Sequence, residues 1–213
     1  MKKRSGYHVF LAVPTRGSIH YITVTRLEEV RDNTPGLRPI LYQSGNLSVA
    51  LTRNRIVKKF LATDCTTLMM VDDDVVPPPH FIETLDAFIP EYGMVGIPHP
   101  MRNPSDPGSL GLCVLKKDKD GLLNGCALEK GMNEVDAIAT GCVAISREAV
   151  EAVGENPFRI ENNPDALITS DDFLFCADLQ ERGFKVGSWW DGYFCDHLST
   201  TSLAPLLERS LRG

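Results

Sequence analysis

Leu68-Met69-Met70-Val71-Asp72-Asp73-Asp74-Val75 is the stretch on which the reading turns. Residues 66–71 (TTLMMV) are apolar on both alternating faces, the pattern of a strand buried from two sides in a parallel sheet. The run leads straight into three carboxylates. Pro77-Pro78-Pro79 follows, with a helix expected to start near His80. In open α/β sheets, ligands bind beyond the carboxyl ends of the strands. Three adjacent anions repel one another unless a cation offsets at least one. On an extended strand Asp72 and Asp74 point one way and Asp73 the other. Asp72 and Asp74 then converge on one hard divalent cation, Mg²⁺ or Mn²⁺, completed by water and substrate phosphate. The plainer alternative is a solvated acidic turn ahead of the proline-led helix.

Working outward, residues 7–13 (YHVFLAV), 38–43 (RPILYQ) and 92–97 read as further strands, and residues 18–31 and 46–62 as helices. Strands alternating with helices imply right-handed crossovers and a mostly parallel sheet covered on both sides. The second half is less regular. Residues 102–111, rich in Pro, Gly, Asn, Asp and Ser, read as loop. Residues 112–115 and 122–128 flank Asp120-Gly121, a hairpin signal. Residues 135–145 are strand-like but contain Gly141, which marks a bulge or a ligand close to the backbone. A polar loop (155–168), a helix (170–182), a strand (185–190) and a short C-terminal helix complete the chain. The expected fold is α/β: one domain over residues 1–213, its mostly parallel central sheet flanked by helices, with a small antiparallel hairpin region.

The 213 residues are 43% apolar, 23% charged and 8% aromatic, which excludes a disordered, collagenous or coiled-coil chain. A formal charge of −6 argues against general polyanion binding. Lys2-Lys3-Arg4 and the group Arg55, Lys58 and Lys59 remain as local phosphate-binding patches. No apolar run approaches the about 18 residues of a membrane span. Met1-Lys2-Lys3-Arg4 imitates the start of an export signal, but the apolar stretch at 9–13 is too short to complete one. The chain is therefore expected in the cytoplasm, its six cysteines reduced and mostly core filler. The one bridge considered is Cys113–Cys126, across the hairpin.

Several motifs, in order, resemble those of GT-A-fold, nucleotide-sugar-dependent glycosyltransferases of the compact, family-2-like phage or bacterial type. Val13-Pro14-Thr15-Arg16-Gly17 ends the first strand where those enzymes seat the nucleobase. Thr52-Arg53-Asn54-Arg55 resembles their Ala-Arg-Asn helix signature, and Asp72-Asp73-Asp74 their Asp-x-Asp motif. Thr140-Gly141-Cys142 resembles the glycine segment beside the donor sugar. Ser170-Asp171-Asp172-Phe173, with Arg182-Gly183-Phe184 beyond, resembles their Glu-Asp helix and the turn after it. The resemblance spans residues 7–198. It implies a Rossmann-like single domain, with 1–100 the nucleotide-binding half and 101–213 the acceptor and catalytic half. It assigns Pro14, Thr15, Arg16, Arg53, Asn54, Asp72, Asp73 and Gly141 to the nucleotide sugar. His197 joins Asp72 and Asp74 as a metal ligand, which favours Mn²⁺ over Mg²⁺. Asp172 becomes the general base of an inverting transfer, with Asp171 beside it.

The residues also speak for themselves. On the helix at 46–62, Leu47, Ala50, Leu51, Val57 and Leu61 share one face with Asn54, which is either a core hydrogen bonder or a nucleotide contact. Arg55, Lys58 and Lys59 share another, solvated face. Ser170 reads as an N-cap, placing Asp171 and Asp172 in the first turn, where acids complement the helix dipole. Asp172 also shares the apolar stripe of Phe175, Cys176 and Leu179, an edge position that suits a general base. Of Trp189 and Trp190, one belongs to the core and the other to the acceptor, stacking on a sugar ring or a base; which is which stays open. The expected activity is metal-dependent transfer from a nucleoside-diphosphate sugar, a UDP-sugar foremost, to an acceptor hydroxyl on either a hydroxymethylated DNA base or a glycan. A sugar-phosphate nucleotidyltransferase is the alternative enzyme, although Pro14-Thr15-Arg16-Gly17-Ser18 lacks the Gly-rich loop with Arg and Lys of that class. A non-catalytic nucleotide-sugar-binding module is the alternative without chemistry. Oligomeric state is not legible.

Overall fold

The computed structural model describes residues 8–45, 48–103, 106–161 and 170–198. The chain runs β1 (Val9–Thr15), α1 (Tyr21–Asn33), β2 (Leu41–Ser44), α2 (Val49–Leu61), β3 (Thr67–Val71), β4 (Val75–Val76), α3 (Phe81–Asp86) and β5 (Met94–Gly96). It continues through β6 (Pro100–Asn103), β7 (Asp106–Leu112), β8 (Val114–Lys117), β9 (Leu123–Gly125), β10 (Gly131–Val135), β11 (Ala137–Ile138) and β12 (Cys142–Ser146). The last elements are α4 (Arg147–Val153), α5 (Asp171–Glu181), β13 (Val186–Trp190) and β14 (Asp196–His197).

Seven strands form the central sheet in the order β10-β13-β5-β12-β3-β1-β2. β2, β1, β3, β5 and β13 point one way, while β12 and β10 run against them. The sheet is thus mostly parallel, as the alternation of elements implies. β3 sits near its middle and is buried along its whole length. Leu68 and Met70 join the apolar cluster under α2, α4 and α5, and Met69 and Val71 join the one under α1 and α3. This two-sided burial is why β3 reads as an unbroken apolar run.

Several expectations need correction. Residues 102–111, read as loop, lie largely in the antiparallel ladder β6–β7. A ladder uses backbone N–H and C=O groups, which a turn-like composition does not reveal. The strand-like run at 135–145 is broken: β11 pairs with β8, whereas β12 inserts antiparallel between β3 and β5. On α2 the buried face is Ala50, Thr52, Arg53, Ile56, Val57 and Phe60, and Leu51 is exposed. Ser170 precedes α5 without capping it through its side chain. The Asp120-Gly121 hairpin forms as read, β8 against β9, with Asp118 Oδ1 accepting from the N–H of Asp120 (2.8 Å) and Leu122 (3.0 Å). All six cysteines are free, so no Cys113–Cys126 bridge exists. No helix among the described residues is long and apolar enough to cross a membrane. Lys2-Lys3-Arg4, the polar segment 162–168 and the C-terminal helix lie outside the described residues.

Candidate active site

β3 ends at Val71, and the chain turns at once. The Val75 N–H bonds the Asp72 carbonyl at 3.1 Å, so Asp72, Asp73 and Asp74 occupy a turn between β3 and β4 rather than an extended strand. Strand alternation no longer applies, and all three aspartates face one cavity of about 430 Å³. Pro14, Thr15 and Arg16 line it from the end of β1, Val49, Thr52 and Arg53 from α2, Asp171 from α5 and His197 from β14. Asp73 holds the β1–α1 loop in place. Its Oδ2 accepts from the Arg16 N–H at 3.3 Å, and its carbonyl accepts from the His20 N–H at 2.9 Å. Thr15 Oγ1 donates to the Ser18 carbonyl (2.9 Å) and accepts from the Gly17 N–H (3.1 Å). Gly17 sits at φ 132°, in the region where glycine is favoured.

Arg53 is the centre of the site. It is 4% exposed, and its guanidinium joins two elements. Nη2 reaches both oxygens of Asp72 (3.0 and 3.1 Å), and Nη1 reaches Asp171 Oδ2 (2.8 Å). Burial opposes its charge, yet the Asp72 and Asp171 carboxylates overcome that and hold its pKa above the usual arginine value. The fork of donors is what permits one side chain to serve two carboxylates. Arg53 Nε is buried without a hydrogen-bond partner. Asp72 therefore has a partner other than the expected metal: its carboxylate is engaged by Arg53.

Asp74 is available. His197 Nε2 stands 3.4 Å from Asp74 Oδ2, and His197 Nδ1 contacts the Pro100 carbonyl at 2.8 Å. A backbone carbonyl on Nδ1 orients the ring and leaves Nε2 to face the carboxylate, the arrangement typical of a metal-ligating histidine. The hydrogen bond with Asp74 raises the His197 pKa to about 8, and the same bond lowers that of Asp74. Among the described residues no group of three or more His, Cys, Asp or Glu is placed to hold an ion. The pair thus fits a divalent cation only as a partial shell, with the remaining oxygens coming from phosphate and water, as is usual for Mg²⁺ and its relatives.

His99 was not anticipated. It follows β5 and is buried, its ring edge-on to His197 at 5.0 Å and its Nδ1 3.3 Å from Cys113 Sγ. Burial lowers its pKa to about 4, so the ring is neutral. Gly141 seats it: a Cβ at Gly141 would lie 2.4 Å from His99 Cε1. Gly141 is absent from the cavity lining, and its carbonyl accepts from the Asp72 N–H at 2.9 Å. Gly141 thus packs a histidine and anchors the acidic turn. Position beyond the carboxyl end of a buried strand is the signal by which His99 was open to discovery.

On α5, Asp171 lines the cavity, whereas its neighbour Asp172 is buried, 8% exposed, and is not among the lining residues. Ser170 Oγ donates to Asp172 Oδ1, which also accepts from the Phe173 N–H at 3.0 Å. Burial raises the Asp172 pKa to about 6; Arg53 opposes the shift and Asp171 adds to it. Asn54 is not in the cavity lining. Its Nδ2 donates to the Phe158 carbonyl (2.7 Å) and its Oδ1 accepts from the Phe158 N–H (3.0 Å), a tie between α2 and the backbone at Phe158. Neither tryptophan lines the acidic cavity. Trp189 packs on Phe88 (5.1 Å) and Trp190 stacks on Phe194 (5.7 Å). The basic group Arg55, Lys58 and Lys59 is solvated, as expected.

An acidic turn at the carboxyl end of the central strand, closed by loops from neighbouring strands, places this protein among the GT-A-fold transferases. The family model described as glycosyltransferase like family 2 matches residues 4–213; the chain belongs to that family and is a glycosyltransferase. The solved structures it resembles include that of A197 from STIV, with TM-score 0.59 and 20% identity over 90% of this chain and 85% of that one. Another is CMP:2-keto-3-deoxy-manno-octonic acid synthetase complexed with CTP, with TM-score 0.54 and 11% identity over 98% of each chain. A third is GalNAc-T7 with UDP, GalNAc and Mn²⁺, with TM-score 0.56 and 13% identity over 92% of this chain and 38% of that one. At these identities the likeness is one of fold. No curated protein matches the sequence.

Proposed function

We propose that the chain transfers a sugar from a nucleoside-diphosphate donor, UDP-linked foremost, to an acceptor hydroxyl with inversion at the anomeric carbon. The observation that carries this reading is the cavity in which Asp74 and His197 face each other beside the Arg53-clamped carboxylates. The Mn²⁺ and UDP in the description of GalNAc-T7 support the same chemistry for a site of this fold. Asp74 and His197 would hold the divalent ion, which when bound supplies positive charge against the departing diphosphate. Arg16 and the Thr15–Ser18 turn border the nucleotide end of the cavity. Asp171 Oδ2 accepts from Arg53 Nη1. Asp172 takes the acceptor proton: its pKa near 6 leaves it ionised at neutral pH and basic enough to act. Ser170 and the Phe173 N–H both bond Oδ1, so Oδ2 is the oxygen that receives the proton.

Thermal-shift titration with UDP-sugars, with and without Mn²⁺, tests donor and metal together. The expected result is stabilisation by UDP-sugar that requires the ion, and a product anomer inverted by NMR. Retention of configuration would remove Asp172 from the base role. The nucleotidyltransferase reading has the CMP:2-keto-3-deoxy-manno-octonic acid synthetase likeness in its favour, of fold alone; pyrophosphate release from CTP and a sugar acid would establish it instead.

A further inference from the structure

His99 stands beside His197, out of reach of the donor. It is 6% exposed and absent from the lining of the donor cavity. Among the described residues it forms no ion-holding group with Asp74 and His197. His99 is therefore neither a lining residue nor a metal ligand. Its ring touches the site through the ring of His197.

That ring is held on two sides. Cys113 Sγ lies 3.3 Å from Nδ1 and accepts from the His99 N–H at 3.3 Å, and the His99 carbonyl accepts from the Cys113 N–H at 3.3 Å. Gly141 closes another side: an added Cβ there would come within 2.4 Å of Cε1 and 3.1 Å of Nε2. No larger side chain fits at Gly141 unless the ring moves. So pinned, the imidazole meets the His197 ring edge to face, with centroids 5.0 Å apart and planes at 84°. The next residue adds a second hold, since the Pro100 carbonyl contacts His197 Nδ1 at 2.8 Å. A hydrogen bond at Nδ1 fixes one point of the His197 ring and still lets the ring pivot about it. The His197 side chain is 33% exposed, so water does not stop that pivot. A second ring packed against it does. Packing of this kind is what keeps a functional side chain in its productive orientation.

We propose that His99 is a positioning residue: its ring holds the His197 imidazole where Nε2 faces Asp74, and so sets the affinity of the site for a divalent cation. The inference rests on the reading that Asp74 and His197 hold that ion. Two adjacent residues, His99 and Pro100, then fix one ligand from two directions.

The full chain is titrated with Mn²⁺ in the presence of UDP, and the free ion is read by electron paramagnetic resonance against a blank of UDP alone. Thermal melts of the same samples report the fold. His99→Asn keeps a polar atom near the Nδ1 position, within reach of Cys113, and removes the rest of the ring. It should weaken Mn²⁺ binding at least about tenfold, the loss usual when an outer-shell partner of a metal ligand is removed. His99→Gln, equally ringless, should do the same, which keeps the comparison if one of the two does not fold. His99→Phe gives up the contact with Cys113 and keeps a ring against His197. It should hold most of the parent affinity even where it melts lower. A merely structural residue would instead lose affinity and melting temperature together in all three variants. That pattern, or parent affinity in the two ringless variants, overturns the proposal and leaves the donor reading intact. So does a loss in His99→Phe equal to theirs. Absence of Mn²⁺ binding by the parent chain overturns the donor assignment, and this one with it.

Discussion

Arg53→Met tests whether one guanidinium joins the acidic turn to α5. The substitution keeps most of the buried apolar volume and removes three charge-assisted hydrogen bonds, at 2.8, 3.0 and 3.1 Å. Removing one partner of a buried ion pair costs about 3–5 kcal/mol, because the remaining charge stays uncompensated. Asp171 keeps 13% of its side-chain surface in water and Asp72 27%, so the lower part of that range, ~3–4 kcal/mol, applies. For a domain of this size each kcal/mol shifts Tm by roughly 2–4 °C, which gives a fall of roughly 6–16 °C. The sign with pH follows from linkage. Without the cation, Asp72, Asp171 and Asp172 repel one another, which adds to the burial that already raises the pKa values of Asp72 and Asp172. Asp172 already stands near 6 through burial and these neighbours. A carboxylate whose folded pKa is raised contributes stability at low pH that is lost as pH rises through that value. The deficit of the variant should therefore be small near pH 4 and grow toward pH 7. Thermal melts followed by circular dichroism across that range measure it. A fall in Tm under about 2 °C, or a deficit flat with pH, would refute the clamp. Arg53→Lys should recover part of the loss, since one ammonium lacks the fork that serves two carboxylates.

Asp172→Asn should lower kcat by about 10²–10⁴-fold with donor affinity unchanged, as read by single-turnover assays beside donor titration. In the parent enzyme activity should rise with pH through about 6, because the base acts only when ionised; a profile flat between pH 5 and 7 would contradict this role. Asp74→Ala should abolish the Mn²⁺-dependent part of the thermal shift with UDP-sugar, while Asp74→Glu restores some of it. Asn54→Ala should destabilise the fold by about 1–3 kcal/mol, seen in urea melts, and leave donor affinity unchanged; a selective loss of donor affinity would return Asn54 to the nucleotide site.

The parts of this molecule that were legible share one property: their signal is local. The apolar run of β3, the carboxylates after it and the Asp120-Gly121 turn are written in consecutive residues. The facing of Asp73 was misread because alternation assumes an extended chain, and a single 3.1 Å turn bond at Asp72 ends the extension. Asn54 and Phe158 are 104 positions apart, and nothing in the helix pattern tells a polar side chain which distant backbone it will meet. The Asp72 partner escaped for the same reason: a carboxylate that seeks a cation accepts a buried arginine as readily as a metal. The ladder β6–β7 is held by backbone groups that composition does not report.

The insertion of β12 between β3 and β5 also has a consequence for how the chain comes off the ribosome. When residue 100 has been synthesised, β3 and β5 both exist, but the strand that lies between them does not. The Gly141 carbonyl that receives the Asp72 N–H is likewise still to come. The nascent first hundred residues thus leave one edge of β3 and both edges of β5 unpaired: β12 needs more than forty further residues and β13 more than eighty, an interval of several seconds at about 5–20 residues per second. Premature termination there leaves an adhesive fragment rather than a small working module, and chaperone demand should concentrate in that window.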